Sequence, residues 1–194
     1  MKAEASAHAS SVSQALTKGA CPICTILKDF QWTLAETARP RADMRLCNFH
    51  TWALARSRGG SLERSTPGES VTTVFLEMLK APLAGKVSSD ECVLCHRVLE
   101  EEVTRLRELA QKVQGAMFAQ WMKSQGTLCL DHARKLKEFV PLRLRTLIDD
   151  VVERNRAELR VELEAFHEQL KQGVHAGGGL LGRVAEFLVG QRGL

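Results

Sequence analysis

The stretch CVLCHRVLEEEVTRLRELAQKVQGAMFAQWMKSQGTLCLDH, residues 92–132, opens on a cysteine pair and closes on a cysteine–histidine pair. Between them Leu99, Val103, Leu106, Ala110, Val113, Met117 and Trp121 recur at intervals of three and four. That period lines one face of a helix. The spacing predicts a helix of about seven turns, with Ser89 and Asp90 as candidate N-caps and Cys92 and Cys95 in its first turn. Residues three apart share a helix face, so both thiols can point at one metal. The positive end of the helix dipole also favours thiolate, the form that binds metal.

Moving outward, the pattern occurs a second time. Cys21-Pro-Ile-Cys24 is another C-x-x-C, and Cys47-Asn-Phe-His50 precedes Cys129-Leu-Asp-His132 as another C-x-x-H. These pairs use all six cysteines of the chain. The agreement extends past the ligands: Leu46 precedes Cys47 as Leu128 precedes Cys129, and Leu54 and Leu136 each follow the histidine by four residues. Trp32 and Trp121 each lie between two ligand pairs. This is the signature of an internal duplication. In sequence order it yields two cassettes, 19–85 and 86–140, with ligand sets Cys21/Cys24/Cys47/His50 and Cys92/Cys95/Cys129/His132.

Four chemistries compete for these residues. Disulfides would leave the matched histidines without a role and need an oxidising compartment. Two structural zinc sites fit well, because Cys3His is a closed tetrahedral set. Two iron–sulfur clusters with one histidine each use the same donors. Cys92-Val-Leu-Cys95-His96 also reads as a haem-attachment motif, but Thr25 stands where His96 would recur, so the duplication does not carry it. Zinc, two per chain, is the reading taken forward, with iron–sulfur as its alternative.

The other ligand pairs also open helices. One runs from Cys21 to about Thr37, where Arg39-Pro40 ends it. The expected fold is therefore all-α, a pair of metal-pinned helical hairpins with no convincing strand alternation. Residues 1–18 read as a flexible N-terminus. Arg56 to Ser70 reads as a linker and Val71 to Leu79 as a short helix. Residues 141–173 form a long amphipathic helix with Leu144, Ile148, Val151, Val152, Leu159, Leu163, Phe166 and Leu170 as its apolar positions. Gly177-Gly-Gly179 then makes residues 174–194 a glycine hinge and a C-terminal docking helix, with Leu181, Val184, Ala185 and Leu188 on one face that either packs back on the body or docks a partner.

Composition removes several functions. The 194 residues are 44% hydrophobic and 26% charged, ordinary for a globular chain. No apolar run reaches the roughly 18–20 residues of a membrane span. The first 19 residues lack a continuous apolar core and do not read as a secretory signal, which points to the cytoplasm. Tyrosine is absent and aromatics are 5%, against a base-stacking RNA module. No P-loop, H-E-x-x-H or G-x-S-x-G is present. Gly177 to Gly182 satisfies G-x-G-x-x-G, but no strand precedes it and no acidic residue follows at the required distance. Four ligands per set leave no open metal position, so no enzymatic activity is expected. Six thiolates and two zinc ions would lower the formal charge from +4 to +2, which supports nucleic-acid binding only weakly. The arginine-rich groups Arg39/Arg41/Arg45, Arg134/Lys135/Lys137 and Arg143/Arg145 read as helix decoration.

The duplicated C-P-x-C and L-C-x-x-H pattern resembles a family of bacterial proteins that carry a domain of unknown function. The residues concerned are Cys21 to Cys24, Leu46 to His50, Cys92 to Cys95 and Leu128 to His132. The ending Gly182-Arg-Val-Ala-Glu-Phe-Leu-Val-Gly190 is similar to that family's ending. The second C-x-x-C departs from the pattern by lacking the proline. The resemblance implies no activity. These readings converge on a non-catalytic, zinc-stabilised helical interaction protein that meets a protein partner, or itself, through residues 141–194. The alternative is a small electron-transfer subunit carrying two iron–sulfur clusters and docked on a larger redox enzyme.

Overall fold

The structure, a computed structural model, describes residues 12–15, 20–37, 45–47, 49–50, 89–172 and 179–190. Leu54, Arg39, Arg41, the linker from Arg56 and the helix expected from Val71 lie outside them. Among the described residues the chain is helical and has no strand. The helices are α1 (Val12–Ala15), α2 (Pro22–Thr37), α3 (Val93–Val113), α4 (Ala116–Gln125), α5 (Leu130–Phe139), α6 (Leu142–Lys171) and α7 (Gly179–Val189). Ser89–Glu91 forms a 3-10 turn. Ser89 and Asp90 therefore lie one turn earlier than the helix start expected for them, and Cys92 itself directly precedes α3.

The all-α expectation holds, but the seven-turn helix is two helices. The N–H of Gln114 bonds to the carbonyl of Gln111, and that of Gly115 to Lys112. These i to i+3 bonds tighten and end α3. Gly115 is extended (φ −78°, ψ 130°) and stands at the N-cap of α4. Leu106, Ala110 and Val113 are buried as the period requires, joined by Leu94 and Leu109, whereas Met117 beyond the break is 90% exposed.

The chain folds as two compact units, and their division follows neither cassette. One holds Leu27–Glu102; the other holds Ser10–Ile26 with Val103–Arg192. In the first, Phe30, Leu34, Leu46, Cys92 and Leu94 form a buried cluster against Cys47, Cys95 and Val98. The N–H of Val93 bonds to the carbonyl of Arg45, tying the two ligand-bearing segments together.

In the second unit α6 packs on α4 and α5. Ile148, Val151 and Val152 are its buried positions, while Leu144, Leu159, Leu163 and Phe166 are half-buried. The guanidinium of Arg154 donates to the carbonyls of Met122, Lys123 and Gly126 and so closes the C-terminal end of α4. Gly126 admits no side chain, since a Cβ there would lie 2.7 Å from the Met122 carbonyl oxygen. The second unit also holds α1, with Val12 and Ala15 buried inside the segment expected to be flexible.

The C-terminal helix does not stand off as a docking arm. It packs against α5 and α6. Phe187 is its buried anchor, at 7% exposure, and Arg183 pairs with Glu162 of α6. The expected face is turned partly outward: Leu181 and Leu188 are exposed. Phe187 displaces them because burying its ring removes more apolar area from water than either leucine would.

Candidate metal centres

Each ligand pair sits where a helix begins, as its sequence requires. Cys129 is the N-cap of α5 (φ −76°, ψ 160°), and its Sγ accepts the N–H of His132 at 3.5 Å. Cys21 precedes α2 and Cys24 lies in its first turn, just as Cys92 and Cys95 do at α3. His50 is helical, three residues after Cys47. At α2, α3 and α5 the first ligand of the pair stands in the cap and the second in the first turn, with both side chains on one face.

All eight residues expected as ligands converge, but in the opposite pairing. One cluster is Cys21, Cys24, Cys129 and His132; the other is Cys47, His50, Cys92 and Cys95. Within each, the donor atoms lie within 4.8 Å of one another. The sets assigned in sequence order, Cys21/Cys24/Cys47/His50 and Cys92/Cys95/Cys129/His132, are therefore corrected. Each C-x-x-C meets the C-x-x-H of the other repeat. The two sites are nested along the chain, the second inside the first. The physical reason lies in the buried neighbours: the segment Arg45–Cys47 is bonded and packed to the start of α3, so its ligands face Cys92 and Cys95.

The first cluster is deeply buried and belongs to the second unit. His132 Nδ1 lies 3.5 Å from Cys21 Sγ, 3.2 Å from Cys24 Sγ and 3.1 Å from Cys129 Sγ. Cys24 and Cys129 have their sulfurs 3.7 Å apart. Gly190, just past α7, has φ of 73°, and a Cβ there would come within 3.5 Å of Cys129 Sγ and 3.7 Å of Cys24 Sγ. The end of α7 thus covers these thiols, in a left-handed conformation that suits glycine.

The second cluster lies in the first unit and has the same form. His50 Nδ1 is 3.4 Å from Cys47 Sγ, 3.4 Å from Cys92 Sγ and 3.3 Å from Cys95 Sγ. Cys47 and Cys95 sulfurs are 3.6 Å apart. A tetrahedral ion at ordinary zinc bond lengths would hold sulfurs about 3.8 Å apart and sulfur and nitrogen about 3.6 Å apart. Both clusters thus place four donors around one point, with the spacing a single ion needs. In both, Nδ1 faces the sulfurs, and the buried Nε2 of His50 has no hydrogen-bond partner.

The electrostatics show what a cation would relieve. Burial, then the neighbouring Cys47 and Cys92, push the Cys95 thiol up to about 12. Burial also opposes ionisation of Cys92, but backbone N–H groups of Cys47, Cys95 and Leu94 outweigh it and hold that thiol below its ordinary value. Burial lowers His50, keeping its ring neutral and able to donate a lone pair. No cysteine is in a disulfide. His96 stays outside both clusters, its Nε2 2.6 Å from the Asp90 carbonyl.

Among the described residues, several members of the basic groups are held in ion pairs within the chain. Arg45 pairs with Glu91, Arg134 and Lys135 with Asp131, and Lys137 with Asp149. Two residues beside the first cluster lie outside the ligand motifs. Gly190 carries no signal of its own in the sequence. Asn155 had a signal, as the one polar residue on the buried stripe of α6 that runs through Ile148, Val151 and Val152. No helix among the described residues is long and apolar enough to cross a membrane. No family model, curated protein or solved structure matches the chain, so these two Cys3His clusters are what it offers for assigning a function.

Proposed function

We propose that the chain is a zinc-stabilised helical interaction protein with two closed structural sites. The observation that carries this reading is the donor spacing. Three sulfurs surround one imidazole nitrogen at 3.1–3.5 Å in both clusters. That leaves room for one ion. An iron–sulfur cluster needs its ligands spread over two or more irons with sulfides between them, and so a wider set. Four protein donors fill the zinc coordination sphere, which favours a structural role over catalysis. Six cysteines without a disulfide suit a reducing compartment such as the cytoplasm.

The contact surface we assign is the outer side of α6 and α7. Val161, Leu181 and Leu188 are large apolar residues exposed there. The partner is another protein or a second copy of the chain. Elemental analysis of purified protein should find about two zinc and no iron per chain, and X-ray absorption should give three sulfurs and one nitrogen around each zinc. A brown protein with iron and inorganic sulfide would overturn the zinc reading in favour of the electron-transfer one. A chain that stays monomeric and captures nothing when Leu181 and Leu188 are intact would remove the interaction role.

A further inference from the structure

The two clusters carry the same four donors, but their histidines are not supported alike. His50 is 4% exposed, and with its Nδ1 toward the sulfurs its buried Nε2 has no hydrogen-bond partner. Neither ring nitrogen of His132 is orphaned in this way. The repeat shows where the difference arises. The residue before the histidine is Asp131 in one copy and Phe49 in the other. A carboxylate oxygen of Asp131, which also pairs with Arg134 and Lys135, lies within 4.8 Å of a His132 ring nitrogen. The Phe49 ring instead stands edge-on to His50 at 5.1 Å. An aromatic ring is only a weak acceptor. We infer that Cys47/His50/Cys92/Cys95 is an exchangeable zinc site that gives up its ion before the other cluster does, so that zinc supply sets the order of the first unit. The inference deepens the zinc reading above and rests on it.

A metal-bound imidazole ordinarily donates its other N–H to an acceptor, which orients the ring and makes it a better ligand. Loss of that partner costs about 10–100-fold in metal affinity. With Nδ1 on the ion, Nε2 of His50 carries the proton, and the loaded site holds a buried donor unpaired. Access points the same way. A chelator or an accepting protein must reach a sulfur to draw the ion out. Cys47 and Cys95 are half-buried. In the first cluster a cleft of about 340 Å³ passes Cys21, Cys24 and Cys129, yet leaves them only 6%, 2% and 2% exposed. The end of α7 at Gly190 lies over two of these sulfurs. Loss of the second ion also has a structural outlet. Phe30, Leu34, Leu46 and Leu94 pack against Cys47 and Cys95, so an empty site loosens the core of the first unit.

The test withdraws zinc stepwise from the full zinc-loaded chain with EDTA. At each step a pulse of N-ethylmaleimide and mass spectrometry locate the freed thiols. When about one zinc per chain remains, Cys47, Cys92 and Cys95 should be alkylated and Cys21, Cys24 and Cys129 protected. Competition should separate the two affinities by about 10–100-fold. Amide hydrogen exchange at that point should speed up around Leu46 and Leu94 and stay slow around Leu136 and Ile148. Phe49 is 37% exposed and can be changed without emptying the core. Phe49→Asp, which offers Nε2 an acceptor, should narrow the affinity gap, and Phe49→Leu should leave it as it is. Release of the first cluster's zinc before the second's, simultaneous release of both, or an unchanged gap in Phe49→Asp would overturn the inference. The order of release in the unsubstituted chain decides it even if the aspartate variant fails to fold. Metal content before chelation separates the two readings. About two zinc per chain that leave together sinks the exchangeable site alone, whereas iron, or no zinc, sinks the zinc assignment and this inference with it.

Discussion

Cys24 faces Cys129 across 3.7 Å, although 105 positions separate them in the chain. Its substitution therefore reports the pairing directly. Cys24→Ser should lower bound zinc from about two to about one per chain and free Cys129, not Cys47, for alkylation. Cadmium-113 NMR checks the same point in the native protein: the His132 ring and the Cys24 β-protons should couple to one cadmium resonance, and the Cys47 β-protons to the other. Coupling of Cys24 and Cys47 to the same ion would return the ligands to sequence order. A second residue-scale prediction concerns Cys95. Its thiol is pushed up to about 12 from its ordinary value of 9.0 in the metal-free fold. A group raised on folding contributes stability below its unfolded value and loses it as pH climbs to the folded one. Chelated protein should therefore lose stability between about pH 9 and 12, the window set by those two values. Zinc reverses the dependence, because it binds the thiolate. At neutral pH, zinc binding should release protons, seen as a buffer-dependent calorimetric enthalpy. An enthalpy identical in buffers of different ionisation heat would contradict this.

At the scale of elements, the ligands depend on helix ends more than on helix bodies. The loop from α4 to α5 delivers Cys129, and Arg154 holds it through the carbonyls of Met122, Lys123 and Gly126. Charge-assisted hydrogen bonds of this kind are worth about 2 kcal/mol when one partner is removed. Arg154→Ala should lower stability by about that amount and weaken zinc at the first cluster while sparing the second; chemical denaturation and zinc competition measure the two effects. Equal loss at both clusters would show that Arg154 acts on the fold at large. Much at this scale was legible in the sequence. The 3.6-residue period found α6 and the apolar face shared by α3 and α4, which it joins into one helix, and the i, i+3 spacing put the ligand pairs at helix starts. The break at Gly115 was not visible, because the apolar face from Leu99 to Trp121 stays in phase across it. Nor was the docked side of α7, since Phe187 and Leu188 are adjacent and either can lead a face.

Which C-x-x-C meets which C-x-x-H is a property of the whole molecule, and local spacing holds no information about it. The eight ligands were legible because their pattern repeats. Their partners were not, because both pairings satisfy identical motifs, and only packing around Leu46, Leu94 and Leu128 distinguishes them. The nested arrangement makes a prediction that the cassette reading denies. Fragments 1–85 and 86–194, expressed apart, each contain a full Cys3His set in sequence, yet each holds only half of either observed site. Mixed with zinc, they should assemble one-to-one and regain helicity and about two zinc per complex. Size exclusion with light scattering and circular dichroism would show it. Fragments that each bind one zinc as folded monomers and ignore each other would restore the cassettes.

The nesting also has a bearing on how the chain is made. When the ribosome has produced residues 21 to 50, the first complete Cys3His set to emerge is the wrong one. Closing it spans the 22 residues between Cys24 and Cys47, against 104 between Cys24 and Cys129. Loop entropy favours that premature closure by about 1.4 kcal/mol, a factor of about ten. Only the later burial around α3 and α5 outweighs it. A nascent chain loaded with zinc too early must therefore exchange its ligands before it can mature, so the timing of metal delivery, and not only its supply, becomes a condition for reaching this fold.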